Sequence, residues 1–318
     1  AQLYLIQPNG ENLKRLTKKD SVSYHFKAFS NDGKMMAYAA NEQAPDILDA
    51  YVMNLETQET QLIAAEKDEC SQPVNFSPNG KYLLFSKGNL AVNNNLYLFD
   101  FKRSKAVLLT KHKGNASYKA GDWTPDSKAI YVSTNAHGNY RTLGLLSLVK
   151  YRRRVVRGKL SPIKLGDYDL AHFNLSNDGK YFTYTLLEDG YYRTIVQNLK
   201  TRRTLEIDDI DDLISVDFTE DSQQLILKYG NATNLTQTIL YEPETKKIKN
   251  LTFYNYAGLS PKDFVRPQRM NYISFDKEEI PAFLYMPKGA IADSSLTMVV
   301  LFHDGVHSHA KPYFNPMV

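Results

Sequence analysis

Cysteine is nearly absent from this 318-residue chain: Cys70 stands alone. A single thiol excludes an internal disulfide and any cysteine-built metal cluster, and it is compatible with both cytoplasm and periplasm. Long apolar runs are missing as well. No stretch approaches the roughly 18 consecutive apolar residues of a membrane span, and Ala1 to Leu16 carries polar residues at strand spacing in place of a signal-peptide core. Charge of one sign is scarce too. The 39 Lys and Arg face 35 Asp and Glu along the chain, a formal net charge of +4, so neither nucleic acid nor a membrane is expected as partner.

What is present points to a folded, β-rich chain. Hydrophobic residues make up 42%, enough to fill a sizeable core, and 22 Tyr and 15 Phe suit pleated, half-buried surfaces. A five-residue pattern recurs: Ser or Thr, any residue, Asp or Asn, Gly or Ser, Lys or Gln. Its copies are Ser30 to Lys34, Ser77 to Lys81, Thr124 to Lys128, Ser176 to Lys180 and Thr219 to Gln223, with fourth positions 47, 47, 52 and 43 residues apart. The chemistry is that of a tight turn, in which Asp or Asn bonds its own backbone and Gly accepts positive φ.

Each turn joins a short alternating run to an apolar one, such as Tyr82 to Phe85 or Ile130 to Val132, and so closes a hairpin. A second hairpin follows in every copy, at Tyr51 to Ile63, Leu96 to Leu109, Leu143 to Val156, Thr194 to Ile207 and Thr238 to Leu251. Four antiparallel strands in about 45 residues is the period of a propeller blade. Leu3 to Leu16, turning at Asn9-Gly10, reads as a further half blade. The expected fold is therefore an all-β propeller over residues 1–255, five whole blades and one half, cut at its N-terminal end from a parent of at least six blades.

After Leu251 the repeat stops. A Pro-containing linker over residues 256–270 leads to a hairpin, Tyr272 to Phe275 and Ile280 to Met286, closed by Pro287-Lys288-Gly289. Met298 to Phe302 reads as a buried-type strand ending in His303-Asp304-Gly305. With its blade turns, its Tyr285-Met286-Pro287-Lys288-Gly289 and its apolar strand running into His303-Asp304-Gly305-Val306, the chain resembles the prolyl oligopeptidase family of serine peptidases, in its dipeptidyl and acylaminoacyl branch. The blade signature is also similar to TolB-like propellers.

The resemblance implies that residues 271–318 begin an α/β-hydrolase domain. It also implies that His303, Asp304 and Gly305 occupy the family's His-Gly-Gly-Pro loop, which shapes the site of the tetrahedral oxyanion. Asp304 stands in place of the first Gly and Val306 in place of the Pro, putting a carboxylate where negative charge develops. None of the sixteen glycines forms the pair, four residues apart, of a Gly-x-Ser-x-Gly nucleophile elbow, so the nucleophile and its triad partners are expected outside this chain. The chain by itself is expected to be inactive and to need no cofactor. Its parent is expected to hydrolyse short peptides behind a substrate-gating propeller, and a homo-oligomer is compatible with this. The alternatives are a non-catalytic TolB-like binding propeller and a degenerate hydrolase scaffold.

Other features read as structural. His303, His307 and His309 fall on the family loop and are expected to hold no metal. Lys150 to Arg154 sits at a second-hairpin turn, as Lys102-Arg103 and Lys246-Lys247 do, and reads as solvated. The acidic run Glu206 to Asp212 reads as a solvated linker. Trp123 precedes its turn as Phe29, Phe76, Leu175 and Phe218 do, which marks a core position.

Overall fold

The five recurring turns all close in the same way. In the first, Gly33 N donates to Ser30 O at 2.9 Å, Ser30 Oγ donates to Asp32 Oδ1 at 2.7 Å, and Asp32 Oδ1 accepts from Lys34 N at 3.1 Å. Gly33 sits at φ +68°, a conformation open to glycine at no steric cost. Ser127 and Ser222 occupy the same position at φ +56° and +59°. Each also reaches back to the preceding turn: Asn79 N donates to Ser127 Oγ at 3.1 Å and Asp178 N donates to Ser222 Oγ at 3.2 Å.

The computed structural model describes residues 1–138, 140–163, 165–205, 207, 212–290, 296–303 and 310–314. By their internal contacts they divide into two units, Ala1–Tyr168 and Asp169–Val318.

In the first unit, β1 (Tyr4–Leu5) pairs with β2 (Lys14–Arg15) as the opening half blade. The first blade is β3 (Tyr24–Phe29), β4 (Met35–Ala44), β5 (Ile47–Asn54) and β6 (Thr60–Ala64). The second is β7 (Ser71–Phe76), β8 (Tyr82–Asn89), β9 (Asn93–Asp100) and β10 (Lys105–Leu108). The third is β11 (Tyr118–Trp123), β12 (Ala129–Thr134), β13 (Thr142–Tyr151) and β14 (Arg154–Ile163). Each is a four-stranded antiparallel sheet in sequence order.

The inner strands β4, β5, β8, β9 and β12 each bury five residues, because each has a neighbour on either side. Leu83, Leu84 and Phe85 of β8 are fully buried, each worth about 1.5–3 kcal/mol of transfer free energy. Successive sheets pack face to face around continuous clusters: Ala37, Val52, Leu83 and Phe85 in one, and Leu84, Leu98, Ile130 and Leu146 in the next. Trp123 is buried and donates from Nε1 to Asn75 Oδ1 at 2.9 Å. Phe76 and Leu175 are buried in the equivalent slot. Phe29 departs from the core position expected for it, being 46% exposed and leaning on Phe26 at 4.8 Å.

In the second unit the fourth blade is β15 (Asp169–Leu175), β16 (Tyr181–Glu188) and β17 (Tyr191–Asn198), and the fifth is β18 (Leu213–Phe218), β19 (Leu225–Tyr229), β20 (Gln237–Glu242) and β21 (Lys247–Asn250). Among the described residues the fourth strand expected in the fourth blade is one bridge, Gln197 to Thr204, flanked by Leu205 N donating to Val196 O at 2.8 Å. The acidic residues Glu206 and Asp208 to Asp211 lie outside the described residues. Beyond β21 comes a connector whose only regular element is a 3-10 turn at Pro261–Asp263. It leads to a two-stranded hairpin, β22 (Gln268–Ile273) and β23 (Glu279–Leu284).

The expected buried strand over Met298 to Phe302 is not formed. These five residues carry no strand pairing and are 55–83% exposed. An apolar strand of this kind is stable only between neighbours that take its hydrogen bonds and cover both faces, and the described residues supply none.

Candidate functional site

Two residues, Asp189 and Gly190, turn β16 into β17. Both adopt positive φ, +54° and +84°, as a two-residue hairpin loop with the twist of its strands requires. This short turn holds the segment that follows the blades. The Arg269 guanidinium on β22 donates Nη1 to Asp189 Oδ2 at 2.9 Å and Nη2 to Asp189 Oδ1 at 3.1 Å. The Phe283 ring on β23 lies edge-on to Tyr191, centroids 5.5 Å apart. It also fills the space over Gly190: a Cβ there would meet Phe283 Cζ at 2.7 Å.

Two more contacts continue the docking. Tyr313 packs on Tyr192 with centroids 5.6 Å apart, and the Lys311 ammonium donates to the Tyr192 hydroxyl. The connector is pinned at the fifth blade, where Leu235 N donates to the Tyr256 hydroxyl at 3.2 Å. Gly190 and Leu235 belong to the loops between the second and third strands of their blades, so Tyr256, Arg269, Phe283, Lys311 and Tyr313 settle against that one end of the fourth and fifth sheets.

A cavity of about 320 Å³ opens between these pieces, its wall including Asp263, Phe264, Tyr285, Lys288, Tyr313 and Phe314. Phe264 meets Phe314 edge-on at 5.0 Å and Tyr256 at 6.2 Å. Burial raises the Tyr285 phenol above its ordinary value and raises Tyr313 further, with its neighbours Tyr192 and Asp212 adding to the shift, so both stay protonated at neutral pH. Asp263 is committed to local structure, its Oδ2 accepting from Ser260 N at 2.6 Å.

Of the residues expected to shape an oxyanion site, His303 is exposed and makes no hydrogen bond among the described residues. Asp304 and Gly305 lie outside the described residues, as do His307 and His309. Among the described residues no three metal-ligating side chains converge. Sequence reasoning missed Asp189, Gly190, Arg269 and Phe283. An Asp-Gly dipeptide between two apolar runs was the available signal for the turn; that it carries the post-blade hairpin had none.

No protein-family model matches the sequence, and no curated protein matches it either. Solved structures do match in fold. A puromycin-hydrolysing peptidase of Mycobacterium tuberculosis superposes with TM-score 0.73 at 13% identity, covering 93% of this chain and 48% of its own. Prolyl oligopeptidase B of Galerina marginata, bound to a 35mer substrate, gives 0.69 at 16%, covering 86% and 40%. TolB of Acinetobacter baumannii gives 0.54 at 20%, covering 78% and 59%. The chain thus spans about half the length of the structures it matches. At these identities the likeness shows the fold: four-stranded β-propeller blades of the kind found in prolyl oligopeptidases and in TolB.

Proposed function

We propose that this chain is the substrate-gating propeller portion of a serine-type peptidase acting on short peptides, together with the first segment of its hydrolase domain. One observation carries the reading. The likeness to TolB covers 78% of the chain, close to the extent of the blades, whereas the likeness to the puromycin-hydrolysing peptidase covers 93% and so runs on past them. The docking of residues 268–284 on the Asp189-Gly190 turn supports it, because it leads the chain out at one end of the blades, where a following domain can sit.

Gating is a steric effect: a folded protein cannot enter a narrow space between domains, whereas a short flexible peptide can. Acyl transfer needs a serine at a strained elbow, a histidine base and backbone N–H donors facing the oxyanion. None of the glycine pairs here forms such an elbow, so the nucleophile is assigned to sequence beyond this chain. In a degenerate scaffold that serine is replaced; in a TolB-like binding propeller no hydrolase sequence follows. Reading the gene past Val318 separates them. Gly-x-Ser-x-Gly followed by Asp and His supports the peptidase, and its absence overturns it.

A further inference from the structure

The third blade differs from its sisters at its outer turn. Opposite the first residue after each recurring turn stand Asn54, Asp100, Ser147 and Asn198. From that position the chain turns back within five residues in three of these blades: Asn54 N donates to Glu59 O, Asp100 pairs with Lys105, and Asn198 N donates to Arg203 O. In the fifth blade Glu242 pairs with Lys247. In the third, Ser147 pairs with Lys159, twelve residues on. Seven extra residues prolong β13 and β14 into a ribbon beyond the point where the other outer hairpins end, which accounts for the wide 52-residue spacing between the third and fourth turns.

The ribbon is basic throughout. Lys150, Arg152, Arg153, Arg154 and Arg157 fall within eight residues, all exposed. No Asp or Glu occurs from 127 to 166, a stretch with nine Lys and Arg, which leaves 30 basic against all 35 acidic residues in the rest of the chain. None of the five makes an ion pair among the described residues. By contrast Arg103, in the short turn of the second blade, is paired with Asp100 at 2.5 Å. At the ribbon's tip Arg152 and Arg153 both take left-handed φ, +46° and +64°, where Asn-Gly would sit without strain. Tyr151 stands 63% exposed with Arg152 over its ring at 5.4 Å. One or two lysines suffice to guard an edge strand, and they need no extension.

We propose that this ribbon is a docking element for an acidic patch on a partner protein. Exposed Tyr and Arg are the residues that anchor protein interfaces, and a guanidinium fork matches a carboxylate better than an ammonium does. Outside residues 127–166 the chain carries more acid than base, 35 against 30, so the net positive charge is local to this stretch, and a compact acidic surface matches it better than a long polyanion or a flat anionic membrane does. This goes beyond the peptidase reading and does not depend on it.

The test is binding of the 318-residue chain to fluorescein-labelled decaglutamate at low salt, with duplex DNA and phosphatidylserine vesicles as competing probes. The variant Arg152→Asn with Arg153→Gly removes two charges while relieving the left-handed φ at the tip. It is expected to weaken decaglutamate binding about tenfold. Lys102→Ala with Arg103→Ala, in a turn of ordinary length, is expected to leave binding unchanged. Equal binding by the tip variant, no saturable binding, or preference for DNA or vesicles overturns the proposal.

Discussion

Asp189 and Arg269, eighty residues apart, form a two-point hydrogen-bonded ion pair between the tip of the fourth blade and the hairpin that follows the blades. Both side chains are about half exposed, so solvent screens the pair. A double-mutant cycle with Asp189→Ala and Arg269→Ala is expected to give a coupling of only about 0.2–1 kcal/mol in urea unfolding, reduced further by salt. Its larger effect is expected on local order, as faster proteolysis within 268–284 in either single variant. A coupling above about 3 kcal/mol would mean that the pair is far less screened than its exposure implies.

Gly190→Ala tests packing against the same turn. Gly10→Ala is its control: φ is +85° there and +84° at Gly190, but no atom lies within 4 Å of a Cβ at residue 10, whereas the Phe283 ring blocks one at residue 190. Backbone strain of about 1–2 kcal/mol is common to both. Gly190→Ala is expected to cost about 1 kcal/mol more, for displacing the ring. Equal losses in thermal unfolding would show that Phe283 does not pack on this turn.

Ser222 is expected to tolerate glycine better than alanine. Alanine keeps the strain of φ +59° and leaves Asp178 N without its acceptor, a loss of about 1–3 kcal/mol. Glycine loses the same bond but relieves the backbone. The ranking is read from urea midpoints, and the reverse order would contradict the bridging role given to the hydroxyl.

The recurring turns make stability pH-dependent. Asp32, Asp126 and Asp221 have carboxyls held below their ordinary range, first by the hydroxyl of the turn's Ser or Thr, then by other donors of the same turn. A depressed carboxyl stabilises the fold above its unfolded pKa of 3.8, and that contribution is lost as pH falls through the lower folded value. Asp49 has the opposite sign. Its carboxyl is buried and Oδ1 has no partner, so burial raises its pKa, and the protonated fold is favoured until pH climbs through the raised value. Asp126→Asn, which copies Asn79 of the second blade, is therefore expected to flatten the acid limb of a stability profile. Asp49→Asn is expected to stabilise near pH 7 more than near pH 4. Parallel shifts across the whole range for both variants would contradict these assignments.

The blades were legible because their turns are local chemistry: Ser30 to Lys34 and its four relatives specify a hydrogen-bond pattern within five residues, and period-2 runs on either side specify strands. Trp123 followed from the same register. Three things did not follow. Among the described residues the outer strand of the fourth blade pairs only at Thr204, and nothing in the apolar run from Thr194 to Ile207 marks where pairing stops. Met298 to Phe302 has the composition of a buried strand, but burial depends on partners that composition cannot supply. The clasp on Asp189 and Gly190 joins residues 80 and 93 positions apart in sequence, Arg269 and Phe283, and no local pattern records such a pairing. At the candidate oxyanion loop, the resemblance assigned His303, Asp304 and Gly305 through motif position alone, and of these only His303 is among the described residues, exposed and with no hydrogen bond to any of them.

The measurement that bears most directly on the peptidase reading is the intact mass of the protein from its source, before and after treatment with a fluorophosphonate. Since the chain covers 40–48% of the peptidases it matches, the account predicts a mass about twice 36.3 kDa that gains one adduct. A protein near 36 kDa that takes up no reagent would contradict it.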